Sequence, residues 1–142
     1  MYYSEDMKFE IGKGITVRDG RDVTIITTGT VLHKALAAAE LLEAKGIRAR
    51  VVDMHTIKPI DEKLIIECAR ETGAIVTVEE HSVCGGLGSA VAEVLAEHMP
   101  VPMTRIGATD FAESGDYEQL LVKYGYGPES IAERCAEVIK RK

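Results

Sequence analysis

The chain has no tryptophan, two phenylalanines and four prolines, and its three cysteines, Cys68, Cys84 and Cys135, stand far apart. They form no C-x-x-C pair and no two histidines stand at ligand spacing, so neither a disulfide framework nor a structural zinc site is indicated. Long apolar runs are missing too. Val23 to Ile26 and Ile75 to Val78 are too short to span a bilayer, and Met1 to Glu10 is acidic, without the apolar centre of a signal peptide. No run of lysine or arginine appears, and the net charge of −6 disfavours nonspecific attraction to nucleic acid or anionic membrane. The expectation is a cytoplasmic protein with neither kind of partner.

What is present is an ordinary globular composition, 46% hydrophobic and 28% charged over 142 residues, enough for one domain with one core. Asp22 to Thr28 is a β-branched run followed by Gly29. Thr30 is then placed to cap a helix whose Val31, Leu32, Ala35, Leu36, Ala38, Ala39 and Leu42 make one apolar stripe, ended by Gly46. Arg48 to Met54 reads as a second strand, leaving through Lys58-Pro59 to a helix capped by Asp61, carrying Leu64, Ile65, Cys68 and Ala69, and closed by Gly73. Ala74 to Val78 is a third strand and Leu87 to His98 a third helix, with Leu87, Ala90, Val91, Val94 and Leu95 inward. Met103 to Ile106 makes a fourth strand, Thr109 to Gly115 a loop, Tyr117 to Tyr124 a short helix, and Pro128 opens a last helix. Cys68 and Cys135 fall on apolar helical stripes, as core residues do.

Continuous apolar strands alternating with helices predict a three-layer α/β/α domain on a mostly parallel sheet. Gly14 to Arg18 adds a weaker strand, joined to Asp22 by Asp-Gly-Arg, short enough for a hairpin and so an antiparallel edge. Ligands of such sheets sit beyond the carboxyl ends of the strands. There the loops should bring together His55, Lys58, Glu79, Glu80 and His81.

The stretch TVEEHSVCGGLGSAV, Thr77 to Val91, runs from a strand through acids and a histidine into a glycine-rich turn. Gly85, Gly86, Gly88 and Ser89 form a turn whose amides are able to cradle a phosphate; equally, its glycines permit a tight turn and close helix packing. The pattern is neither G-x-x-x-x-G-K-[ST] nor G-x-G-x-x-G. Glu79 and Glu80, adjacent in extended chain, point to opposite faces and cannot form an acid/base pair together. His81 is a candidate proton carrier or loop anchor, but no nucleophile stands beside it. Cys84 precedes a helix start, where a thiolate is stabilised. Met54, Ile57, Val83 and Phe111 are read as apolar residues at loop edges, available to a partner. No complete active site emerges.

The runs VTIITTGTVLHKALAAAELLEAKGIRARVVDMHTIKPID, IVTVEEHSVCGGLGSAVAEVL and RIGATDFAESGDYEQLLVKYG, with T-G-T, K-P-I-D, E-E-H-x-x-x-G-G-L-G-S-A-V and E-S-G in that order, resemble the C-terminal domain of transketolase over about residues 14–139. The likeness is greatest to bacterial or archaeal forms divided into two polypeptides. It implies a five-stranded mixed sheet with one antiparallel strand between helical layers. In the full enzyme it implies thiamine diphosphate and magnesium, transfer of two-carbon ketol units between sugar phosphates, and a homodimer.

The domains that hold that cofactor are absent from this chain, so the resemblance carries over no catalytic, cofactor or metal residue, and the isolated chain is expected to be inactive. The end of the pyrimidine-binding domain should precede Tyr2, so a fragment of a longer protein is expected. The C-terminal domain in this family contributes to dimer packing and has been proposed to hold a regulatory molecule. Deoxyxylulose-phosphate synthases and the β subunits of 2-oxo acid dehydrogenases share the domain; His81 in E-E-H and the string M-H-T-I-K-P-I-D favour transketolase. Two other readings stay open: a stand-alone module holding a nucleotide or other anion at Gly85 to Ser89 with Lys58 or His55, and a purely structural dimer-completing domain.

Overall fold

The computed structural model describes residues 7–111 and 113–142. Ala112, in the loop expected from Thr109 to Gly115, and the first six residues of the acidic opening segment lie outside the described residues. Five strands, β1 (Ile15–Arg18), β2 (Val23–Thr27), β3 (Ala49–Asp53), β4 (Ile75–Ser82) and β5 (Met103–Ala108), form one sheet in the order β1-β3-β2-β4-β5. Between and after them run α1 (Leu32–Glu43), α2 (Glu62–Thr72), α3 (Leu87–His98), α4 (Tyr117–Lys123) and α5 (Pro128–Ile139). The pairs β2–β3, β2–β4 and β4–β5 are parallel, and β1 pairs antiparallel with β3.

β2 is the central strand, buried along its whole length, and its side chains feed both faces. Val23 and Ile25 pack with the α1 and α5 stripes, while Ile26 joins Val52, Met54, Ile65 and Leu87 on the α2 and α3 side. Every residue of the expected α1 stripe is buried. At roughly 1.5–3 kcal/mol for each large aliphatic side chain removed from water, these two layers supply the main force for folding. Asp61 caps α2 by accepting from Leu64 N at 3.2 Å, and Gly73 ends that helix in the left-handed conformation (φ 68°), as its sequence position required.

Three expectations need correction. The first strand is an antiparallel edge, but it pairs with β3 and makes no hairpin with β2. Both sides of β2 are taken by β3 and β4. The Asp19-Gly20-Arg21 link instead crosses the start of β3, where Arg21 N and Asp22 N both donate to Arg48 O. Gly20 lies so close to the backbone of Ala49 and Arg50 that a Cβ there would overlap it.

The second correction concerns Thr30, which caps nothing. A 3-10 turn, Gly29–Val31, precedes α1, and the Thr30 hydroxyl reaches across to Glu80. Third, β4 continues past Val78 to Ser82, so Glu79, Glu80 and His81 are strand residues.

At the amino end of the sheet the buried Arg50 is held by Glu71 (2.5 Å) and Asp19 (2.9 Å). Burial opposes its charge, yet its hydrogen bonds to Glu71, Cys68 and Asp19 outweigh that and hold its pKa above the ordinary value. Burial alone pushes the Cys135 thiol up to about 12, and burial is the largest cause raising that of Cys68. Both are inert core thiols.

Candidate functional site

The carboxyl ends of β2 to β5 and the approach to β1 share one edge of the sheet, and every candidate residue lies along it. They do not form one cluster. Strand alternation sends Glu79 toward α3 and Glu80 toward α1 and α4, so the two acids serve different sites, as extended geometry requires.

Glu79 is 1% exposed. Its two carboxylate oxygens accept from Leu87 N at 2.7 Å and Gly88 N at 2.8 Å, so it caps α3 from a neighbouring strand. Positive charge at a helix start and two otherwise orphaned amides make that position favourable for a carboxylate. Gly86 is obligatory beside it, since a Cβ there would overlap the Glu79 carboxylate. Gly88 lets α3 lie on the sheet: a Cβ there would stand 2.8 Å from Thr77 Oγ1 and 2.9 Å from Arg105 Cδ.

Gly85 N donates to Ser89 Oγ at 3.0 Å, and Ser89 Oγ donates to Val83 O at 3.0 Å. Arg105, which the sequence reading passed over, straps the turn by donating to Val83 O at 2.8 Å. Three amides of the expected cradle, those of Gly85, Leu87 and Gly88, therefore already serve internal acceptors. Gly86 and Gly88 are required by packing, and the buried Glu79 carboxylate already takes the two amides of Leu87 and Gly88.

Lys58 lies across from this turn. It shares a cavity of about 470 Å³ with Gly85, Gly86 and Ser89, also lined by Glu62, Glu93, Glu97 and His98. His55 is not in that cavity; its ring stands edge-on to Phe9 at 5.1 Å, with Nδ1 3.1 Å from the Thr56 hydroxyl. Among the described residues no three His, Cys, Asp or Glu side chains converge as a metal-binding group.

Glu80 and His81 line a second cavity of about 400 Å³, with Asp110, Phe111, Tyr117, Tyr124 and Tyr126. Glu80 Oε2 accepts from the Thr30 hydroxyl at 2.5 Å and the Tyr117 hydroxyl at 3.1 Å, linking β4 to the turn before α1 and to the first residue of α4. Burial, then the Glu80 and Glu79 charges, raise the Tyr126 pKa and keep its phenol neutral. The sequence reading missed this aromatic wall. Its signal was available: three of the five tyrosines, Tyr117, Tyr124 and Tyr126, fall within one short segment.

Of the apolar residues expected at the surface, Phe111 is 96% and Ile57 37% exposed. Met54 and Val83 are buried instead. Met54 faces α2 because β3 keeps its alternation one residue past its end, and Val83 N is tied to Ala108 O at 3.0 Å. Phe9 and Ile11 are exposed as well, Phe9 beside the His55 ring.

The residues from 12 to 131 match the family model for the transketolase C-terminal domain. The 6-deoxy-6-sulfo-D-fructose transketolase subunit of Clostridium sp. (strain MSTE9) is 46% identical over 140 residues, 98% of this chain and 44% of that protein. A solved structure of a split-gene transketolase, described as an inactive beta4 tetramer, superposes with a TM-score of 0.95 at 48% identity, covering 99% of this chain and 46% of that one. The 1-deoxy-D-xylulose-5-phosphate synthase of Syntrophotalea carbinolica is 47% identical over 124 residues, 86% of this chain and 20% of that enzyme. The chain belongs to the transketolase C-terminal domain family. It spans under half the length of these relatives.

Proposed function

We propose that this chain is the C-terminal, assembly-directing part of a divided transketolase, and that ketol transfer between sugar phosphates requires thiamine diphosphate and magnesium held by other domains. The observation that carries this reading is the end-to-end likeness to subunits of split transketolases, at 46–48% identity over nearly all of this chain. The carboxyl edge, with Lys58, His55, Glu80, His81 and exposed Phe9, Ile11 and Ile57, is the surface that meets the neighbouring domain, in a homodimer of the complete cytoplasmic enzyme.

The test is turnover. The pure 142-residue chain with thiamine diphosphate and magnesium should show no ketol transfer between sugar phosphates, and the same sequence joined to a pyrimidine-binding domain and mixed with a diphosphate-binding companion should show it. Activity of the chain alone overturns the proposal, as does an active complete assembly whose turnover survives deletion of this domain.

A further inference from the structure

The cavity behind Glu80 has a chemistry opposite to that expected of the glycine turn. Its wall includes four aromatic rings, Phe111, Tyr117, Tyr124 and Tyr126, two carboxylates, Glu80 and Asp110, and the His81 imidazole, with no lysine or arginine among the described lining residues. Lys123 on nearby α4 is engaged by Glu113 at 2.5 Å. Aromatic faces carry negative charge density, and a carboxylate beside them adds a full charge, so the pocket attracts cations and repels phosphates.

Glu80 is also pre-set. The Thr30 and Tyr117 hydroxyls both converge on Oε2, which fixes the carboxylate and leaves the lone pairs of Oε1 for a further donor. Phe111, at 96% exposure, stands at the cavity with a full ring to contribute. The volume of about 400 Å³ falls in the ~300–1,000 Å³ range of small-molecule sites. We propose that this cavity binds a small organic cation, an alkylammonium or guanidinium carried on a compact apolar body, with the cationic N–H groups on Glu80 and the body against Phe111 and the tyrosines. The pocket shares Glu80 and His81 with the edge assigned above to a neighbouring domain, and titration of the isolated chain tests the two readings separately.

The experiment titrates the 142-residue chain with 2-phenylethylammonium, the neutral 2-phenylethanol and the anionic 3-phenylpropanoate, following amide shifts by NMR and heat by calorimetry. The cation should saturate the site about tenfold more tightly than the alcohol, the worth of one charge-assisted hydrogen bond, and the anion should not saturate it. Shifts should centre on Glu80, Phe111 and Tyr117. Glu80→Gln, isosteric at an exposed position, should bring the cation down to the affinity of the alcohol and leave the alcohol unchanged. Phe111→Ala should weaken both.

Equal binding of cation and alcohol overturns the proposal, as does undiminished cation binding by Glu80→Gln, or saturation with shifts elsewhere. So does a face used only between copies of the chain: no cation binding, with a concentration-dependent sedimentation coefficient that Phe111→Ala abolishes.

Discussion

At the scale of single residues, Glu79 shows how a buried charge is tolerated. It is 1% exposed, yet both oxygens accept backbone N–H groups, so desolvation is offset by two charge-assisted bonds at the positive end of α3. Glu79→Ala leaves Leu87 N and Gly88 N without acceptors and opens a void, and should cost about 3 kcal/mol in urea unfolding. Glu79→Gln, which sets an amide donor against a backbone donor, should cost about 1–3 kcal/mol. A loss within error for both would show that the cap contributes nothing.

The thiols differ in the same way by environment. Cys84 is exposed, while Cys68 and Cys135 are buried. Burial raises the Cys135 pKa from an ordinary value near 9.0 to about 12. Above pH ~9 the unfolded chain releases this proton while the folded chain keeps it, so stability should fall as pH rises through that window. Cys135→Ala should flatten the fall between pH 9 and 11, and a disulfide reagent should titrate Cys84 alone until denaturant is added.

At the scale of elements, two helix starts that look alike in sequence are built differently. Asp61 accepts from Leu64 N at 3.2 Å and also from Gly14 N at 3.2 Å, tying α2 to the approach of β1. Thr30, the expected cap of α1, spends its hydroxyl on Glu80. Asp61→Ala should therefore cost about 1–2 kcal/mol in thermal or urea unfolding, and Thr30→Ala under about 0.5 kcal/mol. Equal losses would mean that Thr30 serves α1 after all. α3 rests on glycine in the same sense: Gly88 sits against Thr77 and Arg105, so a Gly88→Asp variant disturbs packing as well as charge and makes a poor probe of anion binding. Glu80→Gln has no such side effect.

At the scale of the molecule, the sheet carries two separate surfaces on one edge: a cavity at the α3 turn lined by Lys58 and three glutamates, and an aromatic, acidic cavity behind Glu80. Exposed Phe9, Ile11 and Ile57 lie on the same edge, and water is a poor solvent for them. If that edge meets a neighbouring domain, Ile11→Asp with Ile57→Asp should leave the unfolding free energy of the isolated chain within about 0.5 kcal/mol yet abolish activity of the complete assembly, as measured by sedimentation and turnover. Retained assembly and turnover in that double variant would remove the apolar edge from the interface.

The sequence by itself determined the layers and the family. β-branched runs, helical stripes, Asp61 and Gly73 are local signals whose meaning does not depend on what lies across the sheet. Tertiary structure alone decided that β1 pairs with β3, because the choice depends on which sides of β2 other strands already occupy. It decided that the Leu87 and Gly88 amides face an internal acceptor, because the carboxylate that fills them arrives from β4. It also decided that Glu80 meets Thr30 and Tyr117, 50 and 37 residues away in sequence, since contacts at such separation are set by packing and not by local pattern.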